Sequence, residues 1–163
     1  MRYEDEWCTI RDDVKPNCGP AEIIIPVWNY KNLSLCYFQN THMEYIQLEN
    51  ANLSGCHFEN AHLHGASLNN SDISQSYLND SDFSNANLEN ANFKNAYLTN
   101  AHFTNAKLKG AVFTGAYLTD TDFTGADLEN ADLDYTYYNS KTKFPEGFIP
   151  DPYKMKCICC NQN

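Results

Sequence analysis

No stretch of this 163-residue sequence stays apolar long enough to cross a membrane as a helix. The N-terminal MRYEDEWCTI also lacks the basic-then-apolar order of a secretory leader. As written, the chain reads as soluble and cytoplasmic, with the periplasm or thylakoid lumen as the alternative if a leader has been removed. Basic residues are scarce as well: 11 Lys and Arg face 21 Asp and Glu, for a net charge of −10. The deficit is uneven, with −3 over residues 1–30, −9 over 31–140 and +2 over 141–163. So acidic a body is unsuited to direct nucleic-acid binding or to an anionic membrane surface, since both need Lys or Arg against phosphate. There is no phosphate-binding glycine loop and no nucleophile–base pair. Cys56 and His57 are adjacent, but neighbours on an extended chain point to opposite faces and cannot meet. No enzyme activity and no cofactor are expected.

What the sequence has instead is a period of five. From Leu33 to Leu133, every fifth residue is Leu, Phe, Met or Ile. Two residues before each centre, from Cys36 to Ala131, stands Ala, Ser, Thr or Cys, with Ile46 the exception. Two residues after, Asn, Gly or Asp dominates. An α-helix repeats at 3.6 residues and a strand at 2, so neither continues through this pattern. Small-in, polar-out, large-in is ordinary strand alternation for three residues. One extra residue per five then resets the phase, and that requires a bend. Asn, Gly and Asp tolerate the positive φ that a type II turn needs. Each pentad is therefore a short extended side followed by a corner, and the chain winds into a coil with flat walls.

The outward residue before each centre counts the walls. Tyr occupies that position at Tyr37, Tyr77, Tyr97, Tyr117 and Tyr137, all separated by multiples of 20, with His57 filling the gap. A three-walled coil of 15 residues would scatter them; a four-walled coil of 20 aligns them. A second column reads His42, His62, Asp82, His102, Asp122. Coils should stack at the strand spacing of about 4.8 Å, giving a rod about 25 Å long. Each buried centre contributes roughly 1.5–3 kcal/mol, and stability should grow almost additively with coil number.

The segments ANLEN (86–90), ANFKN (91–95), ADLEN (126–130) and ADLDY (131–135) resemble the A(D/N)LxN pattern of the pentapeptide-repeat proteins, a likeness covering roughly residues 31–140. It implies an all-β fold, a right-handed quadrilateral β-helix of about five coils with short N- and C-terminal caps. The tail SKTKFPEGF (140–148) is similar to the ending common in cyanobacterial members, with GFIP where they have GFDP. The expected organisation is an N-terminal cap and first coil over 1–30, the β-helix over 31–140 and a C-terminal cap over 141–163. Ile23 and Trp28 sit at central positions of the first coil. Tyr137, Tyr138, Phe144, Phe148 and Tyr153 are available to cover the last.

Of the seven cysteines, Cys36 and Cys56 are expected inside as stacked free thiols, 20 residues apart. A disulfide between them is the alternative, but the favoured disulfide is Cys8 with Cys18, given an oxidising compartment. Cys157, Cys159 and Cys160 lack zinc-finger spacing and read as tail. In the His/Asp column, neighbouring residues are expected to hydrogen-bond. Ligands in one flat row do not converge on an ion, so no metal site is expected there. Glu89, Lys109 and Glu129 form a surface ladder of alternating charge, as do Lys107 and Asp127, each pair contributing little.

The tyrosine column is both a stabilising stack and the candidate surface for an unknown protein partner, because Tyr favours interfaces. The leading reading is a non-enzymatic rigid scaffold for protein–protein interaction. The alternative rests on resemblance: some bacterial members mimic duplex DNA and modulate type II topoisomerase (gyrase), and the acidic body suits that. End-to-end stacking into a homodimer is a further option if a terminal coil is left uncapped.

Overall fold

The computed structural model describes residues 27–158. Residues 27–138 wind into a four-walled, right-handed β-helix, and the tail folds back over its last coil. Parallel bridges join each outward residue to the one 20 further on, from Val27–Gln47 through Tyr77–Tyr97 to Tyr117–Tyr137. That register is the four-walled count written in hydrogen bonds.

The corners carry the positive φ that the period demands. Every fifth residue from Tyr30 to Tyr135 has φ between 56° and 73°. Each closes a turn bonded from the next small residue back to the centre, as in Ala91 N donating to Leu88 O at 3.0 Å. Asn, Gly and Asp adopt this conformation cheaply. Tyr30, Leu35, Tyr45, Gln75 and Tyr135 adopt it all the same. At two of these corners the next coil compensates: the Leu35 side chain lies where a Cβ on Gly55 would be, and the Tyr45 ring covers Gly65.

Four of the five amides in a pentad are consumed by turn and inter-coil bonds. The amide after the centre is left over, and this explains the Asn or Asp in front of it. Asp72 Oδ1 accepts from Ser74 N, Asn92 Oδ1 from Lys94 N, and Asp132 Oδ1 from Asp134 N, all at 2.9–3.1 Å. The short polar side chain closes an Asx turn that the ladder itself cannot supply.

Inside, opposite walls carry matching columns. Phe83, Phe103 and Phe123 stack at 5.1–5.2 Å on one wall, and Phe93 stacks on Phe113 at 4.9 Å on the wall facing it. Across the axis the two columns meet edge to face at 5.7–6.2 Å and 85–90°. Of the other two walls, one is a leucine column and the other begins with Phe38 stacked on Phe58 at 4.9 Å and continues with Leu78, Leu98 and Leu118. Where Ser or Thr replaces the small Ala, the buried hydroxyl donates to a nearby carbonyl, as Ser76 Oγ does to Leu53 O at 2.9 Å.

The C-terminal cap departs from the period by one residue: Asp122 bridges Lys143, where the repeat would place residue 142. The Asn139 side chain absorbs the insertion by accepting from the amides of Lys141 and Thr142, both at 3.1 Å. Phe144 then continues the Phe123 column at 6.0 Å, and Phe148 stacks on Phe144. Strand β1 (Tyr137–Tyr138) pairs in parallel with β2 (Lys156–Cys157) and ends the ladder. Tyr138 also packs against the core, but Tyr153 is 97 % exposed and covers nothing. Met155, the residue just before β2, is buried in its stead. At the other end Trp28 packs on the core near Phe38; Ile23 lies outside the described residues.

Candidate interaction surface

The packed axis leaves chemistry only to the outer walls and the ends. At the C-terminal end an open depression of ≈ 190 Å³ lies among Tyr135, Tyr137 and residues 152–156. Its walls bring together no acid–base pair.

On one wall, Tyr37, His57, Tyr77, Tyr97, Tyr117 and Tyr137 form a single column of rings. Successive centroids are 4.6–5.1 Å apart and the planes agree within 12°. Parallel rings this close cannot lie side by side in one plane, so they overlap face on face. The faces are spent on one another, and the outer surface is a line of ring edges and phenolic oxygens at the coil spacing. Lys156 closes the column, its Nζ 5.5 Å from the Tyr137 centroid. His57 sits between Tyr37 and Tyr77 with its Nδ1 2.9 Å from Glu59 Oε1.

The adjacent wall carries His42, His62, Asp82, His102, Asp122 and then Lys143. His42 and His62 stack at 4.6 Å. The hydrogen bonds expected along this column form elsewhere. Asp82 and Asp122 turn along their own strands to the amides of Ser84 and Thr124, at 2.9 Å each. The Asx turn offers each carboxylate a fixed donor two residues away, which a mobile imidazole on the next coil does not. His42 Nδ1 likewise bonds Glu44 Oε1 at 3.0 Å.

These contacts set the carboxylate acidities. Burial pushes the Asp122 carboxyl up, but the hydrogen bonds from Lys143 and Thr124 outweigh it and hold the group down at about 2. Asp82 is also lowered, burial being overcome by bonds from Ser84 and by the charge of His64 and His102. Glu44 is lowered in the same way, the bond with His42 overcoming burial.

Cys56 is a fully buried free thiol whose Sγ donates to Leu33 O at 3.0 Å. Burial pushes it up to about 11, so the reactive thiolate is suppressed. Cys36 is disulfide-bonded, as is Cys157. The expectation of two stacked free thiols is therefore corrected at Cys36, and Cys36 and Cys56 are not bonded to each other. Cys8, Cys18, Cys159 and Cys160 lie outside the described residues. Lys109 Nζ reaches Glu129 Oε2 at 2.7 Å on the charged ladder, with both groups largely in solvent.

Two roles escaped the sequence. The Asx function of the outward Asn and Asp could have been found from the two-residue spacing to an unpaired amide. The approach of Glu44 to both His42 and His62 was not, because it depends on side-chain rotation across a coil boundary.

A filled four-walled β-helix with its polar and aromatic groups on outward columns defines a structural repeat protein. Family models agree: that for the pentapeptide repeat region matches residues 56–133, and that for pentapeptide repeats (8 copies) matches residues 32–70. The chain is similar to alr5209, a pentapeptide repeat protein from Nostoc Pcc 7120, at 33 % identity and a TM-score of 0.61. That match covers 63 % of this chain and 84 % of the other. The chain belongs to the pentapeptide-repeat family. QnrB1, a plasmid-mediated fluoroquinolone resistance protein, shares the fold at a TM-score of 0.65 and 16 % identity, over 80 % of this chain and 72 % of that one. Rfr23, from the cyanobacterium Cyanothece 51142, is similar at 22 % identity over 74 % of this chain and 86 % of its own, with a TM-score of 0.41. No curated protein matches. Among the described residues no helix is long and apolar enough to cross a membrane.

Proposed function

We propose that this non-enzymatic scaffold engages a protein partner through its aromatic wall. The carrying observation is the unbroken six-ring column, which holds rigid amphipathic side chains at fixed spacing with their rotamers locked by stacking. Little conformational entropy remains to be lost on docking, and the hydroxyl edges supply hydrogen bonds. A protein partner, rather than a phosphate-bearing one, is in keeping with the net charge of −10. Replacing Tyr77, Tyr97 and Tyr117 together by Ser should remove the proteins that co-purify with the wild type. An unchanged set would defeat the reading.

The gyrase alternative rests on charge, and the aromatic wall interrupts that charge. Altered supercoiling by gyrase at micromolar protein would restore it. The tail laid over the last coil favours capping at that end over stacking of a second copy. Disulfide bonding at Cys36 and Cys157 favours an oxidising compartment over the cytoplasm.

A further inference from the structure

We propose that His42, Glu44 and His62 form a surface site for a divalent transition-metal ion such as zinc. The three side chains belong to two successive coils of the histidine wall. His42 and His62 are outward residues joined by a bridge, and Glu44 stands two residues beyond His42, in the corner turn that follows it. One donor atom from each lies within 4.8 Å of the others, and His42 Nδ1 and Glu44 Oε1 are already 3.0 Å apart. The flat row of the sequence pattern thus becomes a triangle, because the carboxylate stands beside the row rather than in it.

Two imidazoles and one carboxylate are a donor set suited to zinc or nickel rather than to magnesium or calcium, which prefer oxygen throughout. Metal–ligand bonds of about 2.0–2.2 Å place tetrahedral ligand atoms roughly 3.4 Å apart. The widest present separation must therefore close by somewhat over an ångström. All three side chains are exposed, and the rotation gives up the stacking of His42 on His62 in exchange for the metal bonds, while the coil bridges beneath hold the histidine backbones in register. Water completes the coordination. The ion would pin one coil to the next near the N-terminal end of the described rod.

The test is equilibrium dialysis of the full chain against zinc alone, with thermal unfolding in parallel. The wild type should bind one zinc per chain at this site and gain melting temperature with zinc concentration. His62→Ala and His42→Ala should each lose at least tenfold in affinity together with the thermal gain, and Glu44→Gln should lose less. His102→Ala, on the same wall but two coils away from His62, should bind as the wild type does. Since the altered side chains are exposed, circular dichroism should show each variant folded. Binding that survives intact in His62→Ala overturns the site, as does an absence of saturable binding or equal competition by calcium. Cobalt substitution separates the remaining source of metal binding: a thiolate-to-cobalt charge-transfer band would assign the ion to cysteine and overturn the proposal.

Discussion

In the middle coils each side chain meets a copy of its own kind. Phe103 lies between Phe83 and Phe123, and its edges meet Phe93 and Phe113. At the C-terminal cap each contact is made once, and much of it is charge. Lys143 pairs with Asp122 at 2.8 Å and Lys154 with Asp134 at 3.1 Å, while Lys156 covers the Tyr137 ring. The basic tail is thus held on an acidic body by ion pairs whose lysines stand in solvent, so the pairs are open to screening by salt. The coils are held by dispersion and burial, which salt leaves alone. Cap and coils should therefore respond differently to the same perturbation.

The largest contrast is expected in the aromatic columns. Phe103→Ala removes a ring enclosed on every side and should cost about 3–5 kcal/mol in urea unfolding. Phe148→Ala removes a half-buried ring stacked only on Phe144, and should cost much less. Equal losses would mean that the cap is as tightly built as the coils.

A smaller contrast separates two glycines of positive φ. Gly65 has a φ of 64°, and a Cβ there would come within 2.6 Å of the Tyr45 ring. Gly147, at 80°, has open space around it. Gly147→Ala should show only the backbone penalty of about 1–2 kcal/mol, whereas Gly65→Ala must also displace the ring. Matching thermal shifts would show that the corner tyrosine moves aside without cost.

The smallest effect sharpens the comparison at the ion pairs. Asp122 is held at about 2 against an ordinary 3.8, so its contribution is complete above about pH 4 and vanishes as pH falls through its folded value. Melting temperature followed from pH 5 to pH 2 should fall less steeply in Asp122→Asn than in the wild type. Phe103→Ala, starting lower, should keep the wild-type slope. Identical slopes in wild type and Asp122→Asn would remove Asp122 from the account of acid sensitivity.

The same contrast explains what the sequence made legible. The corners, the four walls and the tyrosine column could be read because each residue packs on the residue 20 places away, and the pattern displays that partner directly. Leu35 over Gly55 and Tyr45 over Gly65 show how even an exception is answered one coil later. The tail offers no such copy. Whether Tyr153 or Met155 turns inward depends on a strand pairing that occurs once. The disulfide bonding of Cys36 and the approach of Glu44 to two histidines likewise depend on particular encounters rather than on period.

One consequence follows from the 20-residue register of the bridges. Since a coil bonds the one before it and the one after it through the same set of atoms, a whole turn can be duplicated or excised and the new junction would find matching partners. Such an edit would move the two ends of the molecule apart or together by about 4.8 Å while leaving every wall facing its former direction. The protein is in this sense a graduated spacer, whose length can change in fixed steps without redesign of its cross-section.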